Sequence, residues 1–294
     1  MKGKNKVSEI IITVIFAVIC LAILAPFIVL VSASLSSDAS LAKYGYSILP
    51  RTVDLSGYEY VFRNPEKIFT AYKVTIIFSV AATALGTFLM ALVAYPLSRT
   101  SFRHRGKVSF IFYFTMLFNG GLVPTYILIT KYLNLGDSMW VYILPSLISP
   151  WYVFMMRTFF RYIPEAICES AVIDGAGEFR IFIQMILPLS KPVLATVALF
   201  TFLASWNSWQ LSMLYVDRQE LYSLQYLLQS IMNNIQLLQQ SDSNSAIQAI
   251  DPASIPAESA RMAMGIVAAG PALLIFPFFQ KYFTKGLTVG SVKG

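Results

Sequence analysis

Two short polar stretches hold the side chains most able to interact with another molecule. The first, Trp206-Asn207-Ser208-Trp209-Gln210, combines indole rings with amide and hydroxyl groups. Indole faces stack on the apolar C–H surfaces of sugar rings, and amides hydrogen-bond hydroxyl groups. The set therefore suits an uncharged, hydroxyl-rich solute, with Trp206, Asn207 and Trp209 as the contacts. The same tryptophans would also serve as anchors at a membrane–water interface, and the sequence leaves both interpretations open.

The second stretch, Glu169–Pro192, has the pattern of two short helices joined by a turn at 174–177. The second helix has one apolar face with spacing i, i+3, i+4, i+7, formed by Phe179, Phe182, Ile183 and Ile186. We expect Pro188 to end this helix, because proline lacks an amide donor. We also expect Gly175 to permit the tight turn and the Asp174 side chain to cap the second helix. An amphipathic hairpin of this kind offers a surface for another protein.

Other chemistry is excluded or disfavoured. No Gly-x-x-x-x-Gly-Lys-[Ser/Thr] pattern occurs, so the chain does not bind ATP through a P-loop. Cys20 lies inside the first apolar segment and Cys168 beside the polar hairpin, so the two are expected at different depths and no disulfide is expected. No Cys-x-x-Cys or Cys/His spacing indicates a metal site. His104 lies in a basic loop and is interpreted as a solvated residue. The chain is expected to hold no cofactor and not to be an enzyme.

The composition predicts a multi-pass membrane protein. Of 294 residues, 56% are hydrophobic and 13% are charged, against about 25% charged in soluble domains. Six segments lack Asp, Glu, Lys, Arg and His and approach the roughly 20 residues that a membrane-spanning helix needs. They are 10–37, 74–98, 108–130, 138–156, 192–216 and 262–280. The first could instead be a signal peptide, but its apolar run is longer than a signal sequence requires. The predicted fold is an all-α membrane protein with six transmembrane helices.

The distribution of basic residues predicts the orientation and explains the sequence pI of about 9.3 without nucleic acid. With the N-terminus inside, the inner segments carry 14 of the 22 basic residues, which favours N-in and C-in. These are Lys2, Lys4, Lys6, Arg99, Arg103, Arg105, Lys107, Arg157, Arg161, Arg180, Lys191, Lys281, Lys285 and Lys293. The polar hairpin then faces the cytoplasm. The expected location is the cell membrane.

The chain divides into an N-terminal helix and outer loop (1–69), a core of five helices (70–281) and a cytoplasmic tail (282–294). The third span is interrupted at Asn119-Gly120-Gly121, before Pro124. Broken helices at mid-depth often line a substrate pathway, although a packing kink would give the same pattern. In the outer loop 217–261, leucine and isoleucine recur every three or four residues over 221–238, which predicts an amphipathic surface helix. The following run, 241–256, is predicted to be an irregular loop.

Several of these motifs carry a resemblance to a known family. The 164–190 loop resembles the "EAA" coupling loop of ABC importer permeases, which docks into the ATPase subunit. The match covers Glu169, Ala171, Asp174-Gly175-Ala176 and Leu187-Pro188-Leu189, with Ser170 in place of the usual first alanine. Residues 118–126 resemble the LplC-like or YtcP-like subgroup of carbohydrate permeases. The tail resembles that of maltose-type permeases, which reaches the ATPase dimer interface; the residues concerned are Gly286, Leu287, Gly290, Lys293 and Gly294.

The resemblance implies a permease subunit of an ATP-driven importer for a carbohydrate, expected to be an oligosaccharide. It also implies a second homologous permease in a heterodimer, two ATPase subunits that bind ATP and Mg²⁺, and an external solute-binding protein. Glu169 would pair with a basic residue of the ATPase. The alternative from the residues alone is a secondary transporter or channel for a neutral solute that works without partners. Such a carrier would be expected to keep charged groups within its spans, and none is evident.

Overall fold

The structure is a computed structural model that describes residues 6–240 and 256–289. Within these ranges the chain is helical without a strand, and an isolated bridge joins Ser36 to Val53. The α-helices are α1 (Lys6–Ser34), α2 (Asp38–Tyr44), α3 (Ser56–Val61), α4 (Pro65–Ser98), α5 (Arg105–Leu117), α6 (Leu122–Ile127), α7 (Trp140–Ile143), α8 (Pro150–Arg161), α9 (Glu165–Ile173), α10 (Glu178–Ile181), α11 (Leu187–Leu189), α12 (Lys191–Trp206), α13 (Gln210–Tyr215), α14 (Leu224–Gln240) and α15 (Ala257–Val289). Shorter turns connect some of them: π-helical at Leu128–Tyr132 and Phe182–Ile186, and 3-10 at Leu144–Ser146 and Gln219–Leu221.

Three helices are long and apolar enough to cross a membrane: Ser8–Ser34 of α1, all of α4, and Ala257–Pro277 of α15. Two bent pairs also pass when each pair is taken together. Arg105–Leu117 and Leu122–Tyr132 meet at 112°, and Glu178–Leu189 and Lys191–Trp206 meet at 82°. By length and composition the described residues thus hold three spans, or up to five if each bent pair is one span.

The predicted spans differ in how continuous they are. The third is broken at 118–121, as its glycines and proline indicate. Segment 138–156 is not one helix but falls into α7, a 3-10 turn and α8. Pro145 lies in the 3-10 turn and Pro150 begins α8, and neither proline has an amide hydrogen to continue a preceding helix. Segment 192–216 is divided into α12 and α13.

The chain divides into two compact units. One contains residues 1–65 and 228–271, and the other contains 66–227 and 272–294. In the first unit, the Asp38 carboxylate caps the start of α15. Its Oδ1 accepts hydrogen bonds from the Ser259 amide at 2.9 Å and the Ser259 hydroxyl at 2.6 Å, and Oδ2 accepts from the Glu258 amide at 2.9 Å. These amides belong to the first turn of α15, where the helix itself supplies no acceptor.

The same unit contains a close approach of backbones. A Cβ added to Gly57 in α3 would lie 2.6 Å from the Ser259 carbonyl carbon. Only glycine fits there. The apolar side chains of α1 are largely exposed in this unit, as expected for a helix whose neighbour is lipid.

Within its described residues, the second unit contains two buried clusters. The first packs the end of α4 against α8, α9, α10 and the start of α12 around Met90, Met156, Phe182 and Val197. The second lies around Phe78 and Tyr142, whose rings stack with centroids 4.5 Å apart. The Tyr142 hydroxyl shares a 2.6 Å hydrogen bond with the Ser212 hydroxyl and donates to the Leu221 carbonyl at 2.8 Å. The polar end of this buried ring is therefore satisfied.

A carboxylate clamp closes one end of this second cluster. Asp137 has φ +53°, and its Oδ1 accepts hydrogen bonds from the amides of Asp217 at 2.8 Å and Arg218 at 2.9 Å. The Arg218 and Asp217 amides lower the pKa of Asp137, because they stabilise the charged carboxylate. The Asp137 amide donates in turn to the Tyr215 carbonyl at 3.0 Å.

Two expectations concern the second half of the chain. The amphipathic helix predicted over 221–238 is confirmed as α14, which buries Leu224, Leu228 and Ile235 and exposes Asn233 and Asn234. The irregular loop predicted after it lies almost wholly outside the described residues. α15 continues through Gly286 and Leu287 of the tail to Val289. Gly290, Lys293 and Gly294 lie outside the described residues.

Candidate functional site

The 164–190 loop is a helical hairpin closed by hydrogen bonds at the end of α9. The Ala176 amide donates to the Ala171 carbonyl at 2.9 Å, and the Gly175 amide donates to the Val172 carbonyl at 3.0 Å. Gly175 has φ +79°, the left-handed conformation that this type of helix ending requires. The prediction that Gly175 permits the turn is confirmed.

The prediction for Asp174 is wrong. Asp174 is the residue at which α9 ends, and α10 begins after Gly177, which has no side chain to offer. Asp174 lies three residues before the capping position of α10, which Gly177 occupies, so its side chain makes no cap there. The exposed Asp174 carboxylate is left facing solvent.

The predicted apolar face of the second helix is only half buried. Phe182 and Ile186 are buried, whereas Phe179 and Ile183 are exposed. Phe182 and Ile186 pack into the cluster formed with α4, α8 and α12, and a π-helical turn spans 182–186. Helical structure continues through Pro188 and ends one residue later, at Leu189.

The tip of the hairpin is apolar and acidic at once. Ile173 is 86% exposed and Phe179 is 64% exposed. Glu169 and Asp174 are exposed near them, and their carboxylates have no hydrogen bond or ion pair within the part of the chain that the structure describes. Large exposed apolar side chains next to unpaired charges are typical of a surface that another protein covers.

Contacts with the end of α4 hold the base of the hairpin in place. The Tyr95 hydroxyl donates to Glu178 Oε2 at 2.7 Å, and the Thr100 hydroxyl donates to Glu165 Oε1 at 2.9 Å. The Arg99 guanidinium contacts Cys168 Sγ and lies 4.9 Å over the Tyr95 ring. The second helix of the hairpin is therefore attached to α4 itself, and the first helix to residues 99–100 immediately after α4.

Two arginines donate hydrogen bonds to backbone carbonyls at the C-terminal end of α4 and just after it. Arg157 Nε donates to the Leu97 carbonyl at 3.0 Å, and Arg105 donates to the Arg99 carbonyl at 3.2 Å. Carbonyls at a helix end have no partner within the helix, so guanidinium donors there are stabilising. Sequence reasoning assigned these arginines only to the orientation of the chain. The attachment by Tyr95, Thr100, Glu165 and Glu178 was missed, because nothing in the local sequence joins residues 95–100 to residues 165–178.

Comparison with known proteins decides the family. The chain is 36% identical over 294 residues to the polygalacturonan/rhamnogalacturonan transport system permease protein YtcP of Bacillus subtilis, covering 99% of this chain and 100% of that protein. It is 35% identical over 269 residues to Protein LplC of the same organism, covering 92% and 89%. This chain belongs to the carbohydrate permeases of ABC importers. The resemblance to the LplC-like and YtcP-like subgroup is thereby confirmed.

The structural comparison agrees. A bacterial ABC transporter involved in the import of the acidic polysaccharide alginate matches with a TM-score of 0.76 and 27% identity, covering 96% of this chain and 99% of that one. No family model matches the chain. As an ABC permease, the protein is an integral membrane subunit and not itself an enzyme.

The residues predicted to contact the substrate differ from one another in their surroundings. Trp206 is 1% exposed and packs on Phe202 and Tyr72, with ring centroids at 5.8 Å and 6.5 Å. Trp209 and Asn207 are exposed, and the side-chain Nδ2 of Asn207 donates to the Leu203 carbonyl at 2.9 Å. Trp206 is thus a core residue of the second unit.

The other predicted substrate contacts form the bend of the third span. Asn119, Gly120 and Gly121 are all exposed. The Asn119 side chain accepts a hydrogen bond from the Gly121 amide at 2.9 Å, and Gly121 has φ +87°. These contacts account for the sharp angle between α5 and α6, since they stabilise a non-helical backbone between the two helices.

Proposed function

We propose that this permease imports an oligosaccharide and is driven by an ATPase that docks on the 164–190 loop. The names of its relatives support the substrate class, since they include polygalacturonan/rhamnogalacturonan, arabinooligosaccharide and maltodextrin transport systems. The observation that carries the docking proposal is the exposed tip at Ile173 and Phe179, whose base is attached to α4. A rigid hairpin with an apolar tip can transfer the motion of a bound partner to the spans.

In this proposal the chain has six spans with both termini inside, and it forms half of the translocation pathway beside a second, homologous permease. Two ATPase subunits bind ATP and Mg²⁺, and an external solute-binding protein delivers the sugar. Glu169, Ser170, Ala171, Asp174, Gly175, Ala176, Leu187 and Pro188 form or support the docking surface. The tail residues Gly286, Leu287, Gly290, Lys293 and Gly294 contact the ATPase, and Asn119, Gly120, Gly121, Asn207 and Trp209 lie along the sugar path.

The proposed coupling is mechanical. Closure of the ATPase dimer pushes on the hairpin, and the hairpin shifts α4 through the contacts of Tyr95 and Arg99. The spans then alternate between outward and inward access. The buried parts of α9 and α10 pack in the same cluster as α4, α8 and α12, so the hairpin cannot move without these helices.

Site-directed cross-linking tests the docking. In a background with Cys20 and Cys168 replaced by alanine, Ile173→Cys is expected to cross-link to the ATPase subunit in the assembled complex. Leu49→Cys is the matched control, because Leu49 is also a strongly exposed apolar residue but lies in the predicted outer loop. Cross-linking of the ATPase at position 49, or of lipid alone at position 173, would overturn both the docking and the orientation.

A further inference from the structure

Residues 43–53 of the first unit, which we call the boundary segment, fold back onto the end of α1. Directly after this segment, beside the isolated bridge described above, the Asp54 amide donates to the Leu35 carbonyl at 2.9 Å. Leu35 follows the candidate span Ser8–Ser34, and in the most apolar part of that span no residue is buried. Since the neighbour of such a helix is lipid, the boundary segment lies where α1 leaves the membrane.

The start of α15 lies at the same level. The Tyr46 hydroxyl donates to Glu258 Oε2 at 2.9 Å, in the first turn of α15. The Asp38 carboxylate, at the start of α2, accepts hydrogen bonds from the same turn. This turn opens a second candidate span, Ala257–Pro277. The boundary segment is therefore fixed beside the ends of two apolar helices, at the depth of the lipid headgroups.

The boundary segment exposes apolar side chains although it belongs to no span. Leu49 is 76% exposed and Val53 is 75% exposed. The full set of exposed large apolar residues is Tyr44, Tyr46, Ile48, Leu49 and Val53. Tyrosines are enriched at the boundary between membrane and water, where the ring lies among lipid chains and the hydroxyl reaches water. The composition is thus that of a segment inserted into the headgroup region.

Two cations of the boundary segment lie against one ring. Lys43 Nζ is 5.1 Å from the centroid of the Tyr44 ring, and the guanidinium carbon of Arg51 is 4.4 Å from it. Such contacts restrict where the cations lie. Neither cation has a hydrogen bond or an ion pair within the part of the chain that the structure describes. Two neighbouring positive charges that lack a carboxylate favour an anion between them.

We propose that the boundary segment inserts into the membrane surface and that Lys43 and Arg51 bind the phosphate of an acidic phospholipid. Lipid is favoured over a protein partner because the segment continues from the lipid-exposed α1 and joins aromatic to basic side chains. An acidic lipid is favoured over a zwitterionic one, whose own cation would be repelled by the pair. The inference does not depend on the import function, since either orientation of the chain places this segment at one face of the membrane.

Fluorescence quenching by spin-labelled lipid tests the site in the assembled complex. Cys20 and Cys168 are replaced by alanine, and Leu49→Cys carries a nitrobenzoxadiazole fluorophore. The complex is placed in nanodiscs of phosphatidylcholine with about 20% phosphatidylglycerol, and one lipid at a time carries a nitroxide near its headgroup. At equal mole fraction, labelled phosphatidylglycerol should quench at least about three times as strongly as labelled phosphatidylcholine. Asn234→Cys, an exposed polar position of the same unit, is the control and should show no such preference.

Charge variants identify the residues responsible. Lys43→Gln combined with Arg51→Gln should bring the quenching ratio of the two lipids to about one, because the anion loses both cations. The exchange of Lys43→Arg with Arg51→Lys keeps both charges and should keep the preference. Arg63→Gln combined with Lys131→Gln removes the same charge from two exposed positions outside the boundary segment and should also keep it.

Three results would overturn the proposal. One is a ratio of one in the parent, which would leave an inserted segment without a headgroup site. Another is a preference that survives the loss of both Lys43 and Arg51. The third is an equal fall in the charge-matched variant, which would assign the preference to the total charge of the protein.

The other possible occupant of this surface is the external solute-binding protein. Addition of that protein should leave lipid quenching at position 49 unchanged. Loss of quenching on its addition, or emission typical of water with no quenching by either lipid, would show that the boundary segment is not inserted in lipid and would overturn the proposal.

Discussion

The hydroxyl of Tyr95 donates a 2.7 Å hydrogen bond to the carboxylate of Glu178, and this bond attaches the second helix of the hairpin to α4. The two residues are 83 positions apart. Glu178 is the first residue of α10, where a negative charge is also stabilised by the helix dipole. The bond thus joins the surface proposed to receive the ATPase to the longest helix of the second unit.

Removal of this hydrogen bond should weaken the coupling between ATP hydrolysis and sugar transport more than it weakens folding. Tyr95→Phe loses a hydrogen bond to a charged group, about 1.5–3 kcal/mol, while the ring keeps its packing on Phe182. We expect a several-fold drop in sugar transported per ATP hydrolysed, measured in proteoliposomes. Glu178→Gln retains an acceptor oxygen and is the matched control, expected to lose less than Tyr95→Phe. An unchanged ratio in Tyr95→Phe would show that the bond does not transmit motion.

Gly175 should be required because it can adopt a positive φ at the turn, not because a larger side chain would clash there. A Cβ at Gly175 meets nothing within 4 Å, but its φ of +79° is costly for other residues, about 1–2 kcal/mol. Gly175→Leu should insert into the membrane normally and uncouple ATP hydrolysis from uptake.

Gly177 supplies the control for this prediction. It has φ −73° and equally open surroundings, so Gly177→Ala should transport normally. Uptake and ATPase rates of the two variants give the comparison. Normal transport by Gly175→Leu would count against the role of the hairpin as a coupling element.

The Asp38 cap should contribute to the stability of the first unit. Asp38→Ala leaves the amides of Glu258 and Ser259 without their acceptor, a loss of about 1–2 kcal/mol. The thermal unfolding temperature of the purified protein should fall. Asp54 is the control: its side chain accepts the Ser56 amide two residues away at 2.8 Å and no other group among the described residues, so Asp54→Ala should lower the unfolding temperature less. The reverse order would contradict the assigned role of Asp38.

Acid should release the Asp137 clamp. The pKa of this carboxyl is lowered in the folded protein, so its contribution is present above the unfolded value of 3.8 and is lost as pH falls through the still lower folded value. Amide hydrogen exchange at Asp217 and Arg218 should therefore accelerate, relative to unstructured amides, only in strong acid. The Asp137→Asn variant keeps an acceptor oxygen without the charge, so its relative exchange should not change over this pH range. A pH response that survives this substitution would assign the effect to another group.

Sequence patterns alone determined the elements whose causes are local. The apolar periodicity predicted α14, the glycine at 175 predicted the turn, and the glycines and proline near 120 predicted a broken span. The low fraction of charged residues predicted a membrane protein. The lack of charged residues in the six apolar segments predicted spans without catalytic or ion-coupling groups. Each of these conclusions depends on residues within a few turns of one another, where propensity and spacing act directly.

Only the tertiary structure showed which residues that are far apart in sequence form hydrogen bonds with one another. Tyr95 with Glu178, and Asp38 with the start of α15, are pairs that no local rule indicates, because their energy depends on three-dimensional approach. The same reason explains the errors. Asp174 does not cap α10, because it lies at the end of α9 and Gly177 occupies the capping position of α10. Trp206 is buried rather than facing a cavity, because packing on Tyr72 and Phe202 decides the direction of a side chain whose type permits either role.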